Sequence, residues 1–279
     1  MLQAPTLIGS VIERGAFAPV ARSIAPPPPM AGRALPGLYD HERATLHGAA
    51  WFSELPSPLR IAILGSARVS QVEAGAVLAR RGDKASVWMG LASGALRLDT
   101  ALRDGRGFTL DFVGPGQWVG DIALIDERPN DLDVTAHVRS KLLFVSKPDL
   151  HRLIADYDEL GNGLLQLNCR RLRHMFRRFE ELQSMPLPQR LACQLQRLAR
   201  QFGRTVDEGT SIDLSLSQSD IAALVGGSRQ RINRALRQLH LEGIVGLGEP
   251  RVLVRDAARL EAVADGRLLL LELSVSSSA

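Results

Sequence analysis

At 279 residues, 45% of them hydrophobic and 23% charged, the chain can bury an ordinary core and is expected to form about two domains. Two cysteines, Cys169 and Cys193, exclude a disulfide framework and a four-thiolate cluster, and they suit a reducing, cytoplasmic setting. A net charge of +4 fits a polyanionic partner without naming one, and no apolar run approaches the ~18 residues of a membrane span, so no membrane partner is expected.

Residues 1–45 differ from the rest. Ala25-Pro26-Pro27-Pro28-Pro29 is a polyproline run in Ala-, Gly- and Pro-rich surroundings, which predicts a disordered arm, with Met30 a candidate alternative start. Glu13 and Arg14 interrupt the apolar stretch that a signal peptide would need. A β unit is expected over 46–148. It opens on a short helical element between Trp51 and Gly65, with Leu55-Pro56 as its leading turn. From Val69 to Ser146 short strands alternate with turn signals at Gly75, Arg81-Gly82-Asp83, Ser93-Gly94, Asp104-Gly105, Gly114-Pro115-Gly116 and Gly120. Turns every ~8–12 residues predict a compact all-β sandwich, roll or barrel.

The period becomes helical over 149–184. With Gly161, Asn168, Met175 and Leu182 on one heptad position, Leu165, Leu172 and Phe179 fall on the other, a seam suited to a paired helix. Within that seam Asn168 would meet its own copy and fix register; alternatively, this face packs on the β unit and Asn168 meets backbone. Arg170, Arg171, Arg173, Arg177 and Arg178 are expected to form a solvated flank. Met185-Pro186-Leu187-Pro188 should then break the helix and act as a hinge.

A C-terminal domain is expected over 185–260, with a tail over 261–279. Its central run, Leu214 to Val245, predicts two short amphipathic helices around a Gly226-Gly227 corner. The first buries Ile221, Ala222, Leu224 and Val225. Ser228 caps the second, which buries Ile232, Ala235, Leu236 and Leu239 and shows Arg229, Gln230, Asn233, Arg234 and Arg237 on its other face. Such a polar face on a cornered helix pair suits base edges in a major groove. Two β-branched runs around Gly248-Glu249-Pro250 add a hairpin, or wing. Between Ser215 and Arg255, six arginines (229, 231, 234, 237, 251, 255) face three acids (220, 242, 249), a bias that suits phosphates.

This order of parts resembles the CRP/FNR family of bacterial transcription regulators. The likeness rests on AGAVLARRGD (74–83), SGALRL (93–98), FVGPGQWVGDIALID (112–126) and LLFVSKPDL (142–150), then on QRLACQL (189–195) and SLSQSDIAALVGGSRQRINRAL (215–236). It implies an α+β fold: an antiparallel, cyclic-nucleotide-binding-like β-roll, a long dimerisation helix and a winged helix-turn-helix. It also implies a homodimer on double-stranded DNA whose reading helices are reoriented by a ligand, with half-sites one turn (~34 Å) apart and RNA polymerase as a protein partner. Bases would be read at Arg229, Gln230 and Arg234, with Asn233 on the same face, and phosphates touched at Gln218 and Ser228. Family members usually carry Glu at the position of Gln230. Glutamate accepts from cytosine N4, whereas glutamine pairs best with adenine, so a different base is expected there. The dimer interface would comprise Leu165, Asn168, Leu172, Met175, Phe179 and Leu182.

Cyclic-AMP-binding members hold the nucleotide phosphate in a cassette of Gly-Glu-Leu, about seven residues, then Arg-Ser or Arg-Thr. Here it reads Gly120-Asp121-Ile122 and, through Arg128-Pro129, Asn130-Asp131. The expected arginine is Asn130, the hydroxyl is Asp131, and the ribose-binding glutamate is the shorter Asp121. A phosphodiester would meet a carboxylate where it needs a guanidinium. Met175 and Phe176 stand where such receptors carry hydroxyls that meet adenine. Cyclic AMP is therefore disfavoured, and no cofactor or metal is expected. An iron–sulfur sensor would need an N-terminal cysteine cluster, the histidines are scattered, and both cysteines are expected to act as small apolar residues on helices.

The leading reading is a sequence-specific DNA-binding regulator outside the usual cyclic AMP control. One alternative is a regulator answering a cyclic nucleotide or dinucleotide through Arg128 or the arginine-rich helix. Another is an interaction module that kept the scaffold without binding DNA. An enzyme is not expected, because no nucleophile–base pairing, metal cluster or P-loop is found.

Overall fold

A computed structural model describes residues 37–101, 107–248 and 251–269. Most of the N-terminal arm, the Asp104-Gly105 turn, Glu249-Pro250 of the wing turn and the last ten residues of the tail lie outside the described residues.

Helices α1 (Asp40–Gly48) and α2 (Ser57–Ser66) precede eight strands, β1 (Arg68–Val72), β2 (Val77–Ala79), β3 (Val87–Ser93), β4 (Leu96–Ala101), β5 (Gly107–Val113), β6 (Trp118–Val119), β7 (Asp133–Ala136) and β8 (Ser140–Ser146), with the short α3 (Asp121–Ile125) after β6. The strands form two antiparallel sheets, ordered β1-β8-β3-β6 and β2-β7-β4-β5. Strand β3 shows why they stack. Its odd residues Met89 and Leu91 enter the core shared by both sheets, whereas the even residues Trp88 and Ala92 enter a second core under the helices. That second core is aromatic. The Trp88 and Trp118 ring centroids lie 4.2 Å apart, and Trp51 and Phe52 pack around them. Gly90 makes this approach possible, since a Cβ there would lie 2.6 Å from the Trp118 ring.

Residues 40–45, expected within the disordered arm, belong to α1, which is pinned to the roll. Lys141 Nζ donates to Glu42 Oε2 at 2.7 Å, Ser93 Oγ to Glu42 Oε1 at 2.7 Å, and the Tyr39 N–H to Glu42 Oε2 at 2.9 Å. Burial alone would raise the Glu42 carboxyl; these bonds outweigh it and hold the carboxyl below its ordinary value. A polar segment docked through a buried ion pair carries no hydrophobic periodicity, so the sequence pattern misses it.

The single helix expected over 149–184 is two, α4 (Lys147–Asp156) and α5 (Asp158–Ser184), because Tyr157 leaves helical geometry at φ −137°, ψ 98°. Leu150, Leu153, Leu160 and Leu164 pack on the aromatic core. The helix break falls where Pro186 places it: α5 ends at Ser184, Met185 and Pro186 are extended, and α6 (Leu187–Phe202) follows.

The C-terminal unit continues with β9 (Gly203–Val206), β10 (Gly209–Ile212), α7 (Gln218–Val225), α8 (Arg229–Leu241), β11 (Val245–Gly248), β12 (Arg251–Val254) and α9 (Ala257–Ala264), its sheet ordered β11-β12-β10-β9. The tail boundary at 260 cuts through α9. Leu260, Val263 and Ala264 are buried, and Leu268 packs on the same core, so the domain runs further than expected. Ala95 and Phe112 of the roll join that core. Gln201 Nε2 donates to the Phe112 carbonyl at 3.0 Å, and His137 Nε2 lies 2.6 Å from the Ser215 carbonyl, so the two units are docked.

Candidate nucleic-acid interface and nucleotide cassette

Helix α7 starts at Ser217, whose Oγ accepts from the Asp220 N–H at 3.1 Å while Asp220 Oδ2 accepts from the Ser217 N–H, a reciprocal cap. It stops at Gly226, held at φ +71°, where a Cβ would lie 2.7 Å from Leu182 Cδ2. Ser228 then caps α8 by accepting from the Arg231 N–H at 3.4 Å. Ile221, Ala222, Leu224 and Val225 of α7 and Ile232, Ala235, Leu236 and Leu239 of α8 are buried, as the periodicity requires.

The opposite face of α8 is open. Arg229, Gln230, Arg234 and Arg237 are exposed, whereas Asn233 is half-buried. Gln218 Oε1 accepts from Arg229 Nε at 3.4 Å, so the residue expected to touch phosphate meets an arginine expected to read bases. Among the described residues no carboxylate lies within ion-pair distance of Arg229, Arg231, Arg234 or Arg237. The other two arginines of the six are committed, Arg251 to Asp213 at 2.7 Å and Arg255 to Glu208 at 3.4 Å. The free charge is thus concentrated on one helix face, next to helix N-termini that also favour anions.

The cassette is built the other way. Gly120, at φ +96°, turns the chain into α3 and leaves Asp121 fully buried. Arg171 Nη1 from α5 donates to both Asp121 oxygens, at 2.9 and 2.7 Å, its Nη2 donates to the Trp118 carbonyl, and Asn168 Nδ2 adds a bond to Asp121 at 2.9 Å. Arg128, the candidate substitute for the missing arginine, is 83% exposed and lies beside Asp126 at 4.0 Å. Asn130 is half-buried, and its backbone pairs with Asp83 and Gly82, while Asp131 and Ile122 are exposed. In the cassette, therefore, the acid is engaged inside the protein and the cation is turned to solvent.

On α5, Leu165, Leu172, Met175, Phe176, Phe179 and Leu182 are all exposed along one side of the single chain. Within the single chain Asn168 meets the roll unit and a backbone carbonyl, which is the second of the two expectations for it. Besides Asp121, it donates to the Leu164 carbonyl at 3.0 Å and accepts from Arg171 at 3.2 Å. Nor are the five arginines a uniform solvated flank: Arg173 and Arg177 are exposed, but Arg170 pairs with Glu54, and Arg171 and Arg178 turn inward. Arg178 Nη1 donates to the Leu110 carbonyl at 3.0 Å and Nη2 to the Leu224 carbonyl at 2.8 Å. Burial lowers its pKa against the opposing pull of Asp111. Cys169 is exposed rather than packed, while Cys193 is half-buried and its thiol is pushed up by burial. Among the described residues no group of three or more His, Cys, Asp or Glu is placed to hold a metal, and no helix is long and apolar enough to cross a membrane.

Two family models match the chain, a cyclic nucleotide-binding domain over residues 69–157 and a Crp-like helix-turn-helix domain over residues 189–263. A cyclic AMP receptor protein of Thermus thermophilus is 32% identical over 186 residues, spanning 67% of this chain and 83% of that protein. A CRP-like cAMP-activated global transcriptional regulator of Mycobacterium tuberculosis is 31% identical over 170 residues, 61% of this chain and 76% of that one. The chain belongs to the CRP/FNR family. Among solved structures, FixK2 from Bradyrhizobium japonicum shares the fold, with a TM-score of 0.64 at 23% identity over 71% of this chain and 96% of that one.

As a CRP/FNR-family chain this is a DNA-binding transcriptional regulator with an N-terminal roll and a C-terminal helix-turn-helix. Three arginines hold places that the sequence reading did not give them: Arg171 and Arg178, expected in a solvated flank, and Arg190, for which no role was expected. Arg190 of α6 donates to the carbonyls of Met185, Val225 and Gly226 at 3.0, 3.1 and 3.0 Å. Burial, reinforced by the nearby Arg231 charge, lowers its pKa. A signal was present for the first two. Leu164, Arg171 and Arg178 recur at seven-residue spacing, which puts two arginines on the stripe of α5 that faces the roll.

Proposed function

We propose that this regulator reads a two-fold symmetric operator as a homodimer, with Arg229, Gln230 and Arg234 at base edges and Gln218 and Ser228 on phosphates. The observation that carries the reading is the open face of α8, where four arginines have no carboxylate partner among the described residues. Two copies joined along Leu165, Leu172, Met175, Phe176, Phe179 and Leu182 would cover an apolar stripe that a lone chain leaves in water. RNA polymerase is the expected protein partner of such a regulator, and the mode of action is binding rather than catalysis.

The same reading separates this chain from its cyclic-AMP-named relatives at the effector site. Asp121 is already engaged by Arg171 and Asn168, and Arg128 faces solvent, so a cyclic phosphodiester finds no inward-turned cation in the cassette. Binding-site selection from a randomised duplex pool, followed by anisotropy titration with and without cyclic AMP, tests both halves. A palindromic motif with half-sites ~34–36 Å apart and unchanged affinity with nucleotide is the expected result. Recovery of no motif would refute the DNA assignment, and a nucleotide-dependent affinity would refute the effector assignment.

A further inference from the structure

The last carbonyls of a helix have no partner within it and must find one outside. At the end of α7 this is done in two ways. The chain itself serves Ala222 and Ala223, whose carbonyls accept from the Gly226 and Gly227 N–H groups at 3.0 to 3.3 Å. The next three are served by guanidiniums: Leu224 by Arg178 at 2.8 Å, and Val225 and Gly226 by Arg190 at 3.1 and 3.0 Å. Cations there also complement the negative end of the helix dipole.

The two arginines come from different places. Arg190 sits on α6, inside the C-terminal unit. Arg178 sits on α5, before the Met185-Pro186 break, and its other nitrogen holds the Leu110 carbonyl of β5 at 3.0 Å, with Asp111 Oδ2 at 3.5 Å. One fork thus joins the dimer helix, the roll and the first helix of the reading pair, and it is only 12% exposed. Leu182, one turn further along α5, abuts Gly226 beside it. From that corner to α8 there are only Gly227 and the Ser228 cap, so whatever orients α7 orients α8. Across the Met185-Pro186 break, Glu181 and Arg197 pair at 2.7 Å, a tie between α5 and α6.

We infer that Arg178 is a positioning residue for operator binding, setting the angle at which each copy presents α8; the inference rests on the DNA-reading assignment above. A planar fork is required, because a lysine ammonium is a single point that cannot span two carbonyls on different elements. Without the fork, α8 keeps every base-reading and phosphate-touching side chain but loses its fixed angle. Sequence-specific binding then falls while charge-driven binding to arbitrary DNA stays.

The experiment uses full-length protein and the operator found by selection. Arg178→Met and Arg178→Lys are each expected to lower operator affinity roughly tenfold, with affinity for random duplex within about twofold of the parent. Chains carrying Lys84→Cys and Arg237→Cys with Cys169→Ser and Cys193→Ala, labelled at both sites and diluted into unlabelled protein, report the domain angle. A narrow intramolecular distance distribution should broaden when Arg178 is replaced. Operator affinity within twofold of the parent, together with an unbroadened distribution, would overturn the inference. Equal loss of operator and random-duplex binding would overturn it too, since it would mean lost charge contacts. If Arg178→Met fails to fold, Arg178→Lys decides on the same two readouts. If the parent protein selects no duplex at all, the DNA assignment has failed, and the label distances still decide the role of Arg178 in holding the domain.

Discussion

Helix α8 and the cassette over residues 120–131 are the two surfaces expected to meet phosphate, and they treat charge in opposite ways. On α8, Arg229 and Arg234 are exposed, with only a glutamine amide beside Arg229. In the cassette the acid Asp121 is fully buried under Arg171, while the lone cation Arg128 is turned to solvent beside Asp126. A charged side chain serves a ligand only where the fold has not already satisfied it. Internal pairing turns the cassette into a strut between the roll and α5, and its absence keeps α8 available.

Breaking that strut should give the largest effect. Arg171→Met strands a buried carboxylate with only Asn168 for company, and is expected to cost about 3–5 kcal/mol in denaturant unfolding. A loss below about 1 kcal/mol would show that the pair is not the strut described here. On the other surface the pattern should invert. Arg229→Ala and Arg234→Ala should each weaken operator binding by about 1–3 kcal/mol while leaving unfolding within about 0.5 kcal/mol of the parent; titration and melts on the same preparations check both.

A smaller and more selective change is expected at Gln230. Its replacement, Gln230→Glu, should move preference at one base pair from adenine toward cytosine by about 1–3 kcal/mol, with the rest of the motif kept. Repeated selection yielding the same motif would remove Gln230 from the base-reading set. The cassette can be tested by repair. The double variant Asn130→Arg, Asp131→Thr should acquire a calorimetric cyclic AMP signal that the parent lacks, and parental binding at micromolar ligand would erase the contrast between the two surfaces.

The smallest expected effect is on pH dependence. His174 on α5 is held below the ordinary histidine pKa of about 6.5 by burial, against the upward pull of Asp111 at 3.8 Å and with Arg197, Arg178 and Arg177 adding to the depression. A depressed folded pKa contributes stability that is present above the unfolded value. That contribution is lost as pH falls from there through the folded value, where the unfolded chain binds the proton more readily. His174→Gln should therefore flatten the stability profile below about pH 6.5, and denaturant midpoints across that range measure it. An unaltered profile would remove His174 from the acid response.

How much was legible follows from which signals are periodic. The glycine corner, the Ser228 cap and the buried faces of α7 and α8 could be taken from spacing alone, since helix burial repeats every 3.6 residues and Gly226 must sit at positive φ. The helix break followed from Pro186, and the roll from the cadence of its turns. The departures of the cassette, Asn130 and Asp131, were visible as residue identities. Not legible were the pairings between distant segments: Glu42 with Lys141, Asp121 with Arg171, Arg178 with Leu110 and Leu224. Each joins residues at least 46 positions apart, and a single charged residue in a helix looks the same whether it faces water or a partner.

The order of amino acids by itself determined the local elements and the chemistry each face carries, because propensity, capping and side-chain periodicity act over a few residues. Only the folded arrangement decided which charges are spent and which are left over. The partner that neutralises a buried ion is chosen by packing in three dimensions, where desolvation makes an unpaired charge intolerable, and no short-range pattern records that choice.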